Sequence, residues 1–92
     1  MKNEIPPTLK IVIKAKWFDE IATKRKQIEY RDVSPFWISR LYDKAGKKRH
    51  YEYIEFINGY NPTARRVITK YEGFNKKGNL FHIKIGAIIK KK

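Results

Sequence analysis

The chain contains no cysteine, few acidic residues and no long apolar run. Without cysteine it has no disulfide, no thiolate metal ligand and no cysteine nucleophile. Its apolar runs are only a few residues long, whereas a membrane-spanning helix needs about 20. The opening residues MKNEIPP lack the apolar segment of a secretory signal peptide. We therefore expect a cytoplasmic protein that does not bind membranes.

Several catalytic and cofactor-binding motifs are also missing from the sequence. It has no glycine-rich phosphate loop, no serine nucleophile elbow and no paired-carboxylate motif. The two histidines, His50 and His82, lie far apart and have no neighbouring carboxylates at metal-ligand spacing. We expect neither a metal nor a cofactor.

The length and composition predict one small globular domain. A second hydrophobic core does not fit into 92 residues. Hydrophobic residues make up 41% of the chain and aromatic residues 14%, which suffices for a core. We expect a monomeric domain over residues 1–92, with residues 1–8 as an extended arm and residues 90–92 as a disordered basic tail.

The charge is strongly unbalanced. The chain has 22 Lys and Arg against 9 Asp and Glu, a formal net charge of +13. A small domain repels itself at this charge unless a polyanion neutralises it, and nucleic acid is the partner that this composition favours. The alternative is a lysine-rich surface that only provides solubility.

The hydrophobic periodicity predicts five strands and two short helices. Strands are predicted at 9–16, 27–32, 51–58, 65–74 and 80–89 from alternating apolar residues. Helical spacing starts at Trp17 and ends near Lys24, and Ser34-Pro35 predicts the capped start of a second helix. This order predicts an α+β fold, a small closed or nearly closed β-barrel whose ends are plugged by the helices.

Lys26, Glu29 and Arg31 form the most informative polar cluster. Glu29 and Arg31 are two apart on one predicted strand, so both leave the same face, and Lys26 lies at the turn before it. Such a cluster suits a phosphate or a base edge. It also suits a lysine that works as a base in a cationic pocket, or a surface ion-pair set of little energetic value.

A second candidate cluster follows the third predicted strand. The amide of Asn58 is suited to base edges and the ring of Tyr60 to base stacking, while a structural Asn58-Gly59 turn with Tyr60 over the core is the alternative. Arg65 and Arg66 are suited to phosphate or to a solvated strand end.

Three large aromatic residues are predicted to pack in the core rather than against a ligand. Trp17 and Trp37 occur at helical spacing with other apolar residues, and Tyr30 shares its strand face with Ile28.

Residues 24–31, KRKQIEYR, resemble the G-x-K-x-x-E-x-R motif of the ASCH domain, a branch of the PUA-like barrels. Lys26, Glu29 and Arg31 match the lysine, glutamate and arginine of that motif, and Lys24 stands where it has glycine. The segments EYRDVSPFW and IEFINGY are also similar to small members of the family. The resemblance extends from about residue 9 to residue 89.

This resemblance implies a PUA-like barrel with a pocket beside the motif strand for RNA or a modified base. Some ASCH members resemble amidohydrolases of acetylated cytidine, which use the motif lysine, a threonine where this chain has Glu29, and a glutamate on a helical insertion that this chain lacks. Others are ribonucleases that share the motif lysine.

Three functions are therefore predicted. The first is a nucleic-acid-binding module, for RNA above all, with a cationic cleft formed by Lys26, Glu29, Arg31, Asn58, Tyr60, Arg65 and Arg66. The alternative is a hydrolase of RNA or a modified nucleoside, with Lys26 as general base and Glu29 beside it. A protein-interaction adaptor is the third.

Overall fold

The computed structural model describes residues 7–92. Its elements in chain order are β1 (Thr8–Ile13), α1 (Ala15–Ala22), β2 (Ile28–Asp32), α2 (Pro35–Leu41), β3 (Tyr53–Asn58), β4 (Arg66–Lys77) and β5 (Leu80–Lys91). The predicted α+β fold of five strands and two short helices is thus confirmed.

The five strands form one mixed sheet in the order β1-β3-β4-β5-β2. Only β1 and β3 are parallel, and every other neighbouring pair is antiparallel. The sheet curls into a half-barrel, in which β1 and β2 are the two edge strands. This arrangement matters for function because it leaves a seam between β1 and β2.

The curl originates in the long β4–β5 hairpin. The pairing of these strands shifts register between Ile68 and Thr69, between Thr69 and Tyr71, and between Tyr71 and Phe74. Irregular pairing of this kind bends strands and increases their twist. The first half of β4 pairs with β3 and the first half of β5 pairs with β2, so the bent hairpin turns β2 back toward β1.

The core fills the inside of the half-barrel. Its fully buried side chains come from the inner faces of β1, β3, β4 and β5 and from both helices, with Phe18 and Ile21 from α1 and Leu41 from α2. Helix α2 begins as predicted, since the Trp37 N–H donates to Ser34 Oγ at 3.3 Å and Pro35 occupies the first turn.

The predicted ends of the chain differ from the structure. Residues 90–92 are not a free tail, because β5 continues to Lys91 and the Lys92 N–H donates to the Arg66 carbonyl at 2.8 Å. Backbone pairing with β4 outweighs the repulsion among the lysines. Most of the predicted arm lies outside the described residues, and its last residue, Thr8, opens β1.

The alternation of apolar residues that predicts the strand at 80–89 does not keep one face of β5 buried. Phe81 and Ile83 are buried, but Ala87 and Ile89 are exposed. The irregular β4–β5 register lies between these two halves, so the strand does not keep one face toward the core.

Candidate functional site

A groove with a volume of about 870 Å³ lies along the seam between the two edge strands. We call this cavity the seam groove. The end of β1, the start of α1, β2, the start of α2 and the turn after β3 all contribute to its walls. It is therefore an open site created where the sheet fails to close.

Glu29 and Arg31 form the polar floor of the seam groove. Arg31 Nε donates to Glu29 Oε2 at 2.7 Å, and the Glu29 side chain is only 7% exposed. The Nη2 group of Arg31 also donates to the Val12 carbonyl at 3.3 Å. Arg31 thus connects β2 to β1 through its side chain, at the seam where the backbones are not paired.

Lys26 completes the predicted cluster from the turn before β2. Its Nζ lies 3.6 Å from Glu29 Oε1 and over the rings of Trp17 and Tyr30, at 5.2 Å from each centroid. The structure therefore brings Lys26, Glu29 and Arg31 together. Two cations share one buried carboxylate, which keeps the region net positive.

The predicted orientation of β2 is wrong. Tyr30 is 49% exposed rather than part of the core, and Glu29 is the buried neighbour. Because β2 is an edge strand, its inner face meets the seam groove, where a polar carboxylate has cationic partners. The exposed ring of Tyr30 packs edge-on against His82 of β5, with centroids 4.8 Å apart, and Tyr30 also lines the seam groove.

The prediction for Trp17 is wrong as well. Its side chain is 40% exposed and lines the seam groove, whereas Trp37 is half-buried and packs against the core while also lining the groove. The Arg31 guanidinium lies 5.1 Å from the Trp37 ring centroid. Cationic groups therefore lie over aromatic rings that line the groove, at distances typical of cation–π contacts.

The turn after β3 forms another part of the groove wall. Asn58, Gly59 and Tyr60 all line the seam groove, and Gly59 has a φ of 89°, which favours glycine. Tyr60 is 90% exposed, so it does not cover the core. Its ring is free to meet a ligand.

Phe36 was missed by the sequence analysis, although it is 54% exposed at the rim of the seam groove. The sequence does carry a weak signal. The seven residues of helix α2 include more apolar side chains than one short helix can bury. Only Leu41 is buried, so other apolar side chains of this helix remain accessible.

Arg65 and Arg66 do not join the seam groove. Arg65 lies over the Phe18 ring and 3.5 Å from Asp19, while Arg66 Nη1 donates to Glu55 Oε2 at 3.1 Å. Glu55 is buried and needs this partner.

Neither a metal site nor a membrane helix appears in the described part of the chain. Within residues 7–92 no group of three or more His, Asp or Glu is placed to hold a metal ion. No helix in this range is long and apolar enough to span a bilayer. Comparison with protein-family models, with curated proteins and with solved structures gave no match.

The arrangement of the seam groove suits binding more directly than catalysis. Its exposed rings offer stacking surfaces, and its cations offer charge for an anion. A lysine that acts as a base works through a neutral amine, whereas the carboxylate beside Lys26 is a partner for an ammonium.

Proposed function

We propose that this protein binds nucleic acid, RNA above all, in the seam groove. The observation that carries the proposal is the set of exposed aromatic rings that stand among cations on the groove wall. Its members are Trp17, Tyr30, Phe36 and Tyr60. Each stacked base contributes about 1–3 kcal/mol of binding free energy, and every base has a face to stack.

The net charge of +13 supports the same ligand class. A polyanion relieves the self-repulsion of the chain, and phosphate contacts supply affinity that does not depend on sequence. The seam groove adds polar groups that suit base edges, since the Asn58 amide both donates and accepts hydrogen bonds.

The preference for RNA rests on the resemblance to the ASCH domain. One backbone angle supports that resemblance: Lys24, at the place of the motif glycine, has a φ of 67°. This left-handed conformation is the one that glycine adopts most readily after a helix. Lys24 thus has the backbone conformation that suits a glycine at this position of the motif.

The experiment is a fluorescence anisotropy titration of labelled single-stranded RNA, duplex RNA and single-stranded DNA at two salt concentrations. We expect the combined substitution Phe36→Ala and Tyr60→Ala to weaken RNA binding about 10-fold or more, because two stacking surfaces are lost. Both side chains are exposed, so the fold should survive the change.

The matched control is Ile89→Ala, which removes an exposed apolar side chain that does not line the seam groove. It should leave the affinity unchanged. Absence of binding, affinity that ignores salt, or an equal loss in the control would contradict the proposal.

The same samples test the hydrolase alternative, in which Lys26 is the general base. After each titration the RNA is run on a gel, and acetylated cytidine is assayed for loss of its acetyl group. We expect intact substrates. Turnover that is abolished in Lys26→Ala, while RNA affinity persists, would establish the hydrolase instead.

A further inference from the structure

A second cavity continues the seam groove along the outside of β1. Its volume is about 610 Å³, and it shares Val12, Arg31, Phe36, Trp37 and Tyr60 with the seam groove. The two cavities therefore adjoin each other.

A third cavity, of about 380 Å³, follows the second. Tyr51 lines both of them, and the loop before β3 supplies the basic residues Lys48, Arg49 and His50 to the third. Lys84 of β5 closes its far side. The three cavities therefore follow one another around the molecule in the order seam groove, second cavity, third cavity.

Most cations along this path have no carboxylate partner. The four ion pairs within residues 7–92 involve Lys26, Arg31, Arg65 and Arg66, and of these only Arg31 lines any of the three cavities. The cavity-lining cations without a carboxylate partner in that range are Lys10, Lys14, Arg40, Lys48, Arg49 and Lys84. A charged group without a counter-ion is suited to a phosphate.

Some of these cations are also held in place. Arg49 Nε donates to the carbonyls of Ser39 and Tyr42, at 3.2 and 3.0 Å, and Lys48 Nζ donates to the Phe74 carbonyl at 2.9 Å. These bonds hold the Lys48 ammonium and the Arg49 guanidinium at the third cavity. Little conformational entropy is then lost when a phosphate binds.

We propose that the three cavities form one continuous track, and that the ligand is an extended single strand of several nucleotides. This inference rests on the proposed function. The exposed rings require unstacked bases, which a duplex does not offer. A free nucleoside fills one cavity only, since each of the two larger cavities is within the ~300–1,000 Å³ range of small-molecule sites.

The test measures the affinity for single-stranded oligonucleotides of about two, four, eight and twelve residues, with a duplex and a nucleoside beside them. We expect the affinity to rise about 30-fold or more between two and eight residues and then to level off. A site for one nucleotide has about eight positions on the eight-residue strand and about two on the two-residue strand. This statistical factor accounts for only about a fourfold increase in affinity.

The variant that tests the track combines Arg40→Gln and Lys84→Gln, one exposed cation in each of the two later cavities. It should lower the affinity for the eight-residue strand about 5-fold to 10-fold and leave the two-residue strand unchanged. The matched control combines Lys70→Gln and Lys90→Gln, which remove the same charge from exposed sites outside the three cavities.

The outcomes separate the two proposals. If no oligonucleotide binds, the proposed function is wrong. Three outcomes would show that binding is real but that the continuous track is wrong. The first is that the affinities for all strand lengths differ by no more than the roughly fourfold statistical factor. The others are that the duplex binds as tightly as the single strand, or that both double variants lose the same affinity.

Discussion

At the scale of single residues, Glu29 decides the chemistry of the seam groove. Its carboxylate is buried, and its two oxygens face Arg31 at 2.7 Å and Lys26 at 3.6 Å. A buried carboxylate requires such partners, and both cations are partly buried themselves. Glu29 therefore positions Arg31 in the groove and Lys26 beside it.

We expect Glu29→Gln to lower the free energy of unfolding by about 2 kcal/mol, because it leaves two partly buried cations without their counter-ion. Urea denaturation at neutral pH measures the change. The matched control is Asp19→Asn, whose ion pair with Arg65 is 63% exposed on both sides. That pair should contribute less than about 1 kcal/mol, so equal losses in the two variants would contradict the role of Glu29.

Tyr71 is a second residue whose surroundings have a measurable effect. Its buried hydroxyl has no hydrogen-bond partner within residues 7–92, and its ring packs edge-on against Tyr51. Burial, and to a smaller extent the nearby Tyr51, raises the pKa of Tyr71 to about 12. The neutral phenol is thus the form that the folded protein accommodates.

This pKa predicts a pH dependence of stability. The unfolded tyrosine ionises at pH ~10, whereas folded Tyr71 keeps its proton to about pH 12. The contribution of the neutral Tyr71 phenol to stability is therefore complete below pH ~10 and is lost as the pH rises from there to about pH 12. We expect the melting temperature of Tyr71→Phe to equal or slightly exceed that of the wild type at pH 8. At pH 11 it should exceed the wild type clearly. A constant difference at both values would rule out this account.

At the scale of elements, the turn between α1 and β2 positions the motif cluster. Helix α1 ends at Ala22, Thr23 caps it, and Lys24 turns the chain with a positive φ. The Lys24 N–H donates to the Ile21 carbonyl at 3.0 Å. This turn delivers Lys26 beside Glu29, so its geometry matters for the site.

We expect Lys24→Gly to raise the free energy of unfolding by about 0.5–1 kcal/mol, because glycine adopts the left-handed conformation without steric cost. The control is Thr23→Gly. Thr23 has a negative φ, and its hydroxyl donates to the carbonyls of Asp19 and Glu20, so this substitution should be destabilising. Thermal unfolding of both variants gives the two signs, and a loss of stability in Lys24→Gly would contradict the argument.

The ends of the elements show which boundaries the local sequence predicts and which it does not. Helix α2 was predicted at its first residue because a cap and a proline act locally. The length of β4 was not predicted correctly. The predicted strand ends at residue 74, whereas β4 continues to Lys77, and Asn75 to Lys77 still pair with β5. Strand ends depend on the partner strand, which the local sequence does not describe.

At the scale of the whole molecule, the charge acts on folding and on binding in opposite directions. The net charge of +13 destabilises the compact state through self-repulsion, and the same charge attracts a polyanion. Salt screens both effects.

We therefore expect a tenfold increase in salt to raise the melting temperature of the free protein and to weaken its binding to single-stranded RNA. If about three phosphates are neutralised, the affinity should fall about 100-fold, since the slope is about −0.7 per contact. Thermal scans and anisotropy titrations over one salt series measure both trends. A melting temperature that falls with salt would show that attractive ion pairs outweigh the repulsion.

The sequence by itself determined the number, type and order of the elements, the capped start of α2 and the grouping of Lys26, Glu29 and Arg31. These features follow from periodicity, local capping and side-chain alternation, all of which act over a few residues. The basic character of the molecule follows from composition alone.

Only the tertiary structure decided which face of β2 is inside, where Trp17 and Phe36 lie, and that Arg65 and Arg66 are held by carboxylates that do not line the groove. Each depends on which strands are at the sheet edges and on how strongly the β4–β5 hairpin bends. An edge strand beside an open seam accommodates a polar residue on its inner face, whereas a central strand places an apolar one there. Alternation within a single strand does not distinguish these two cases.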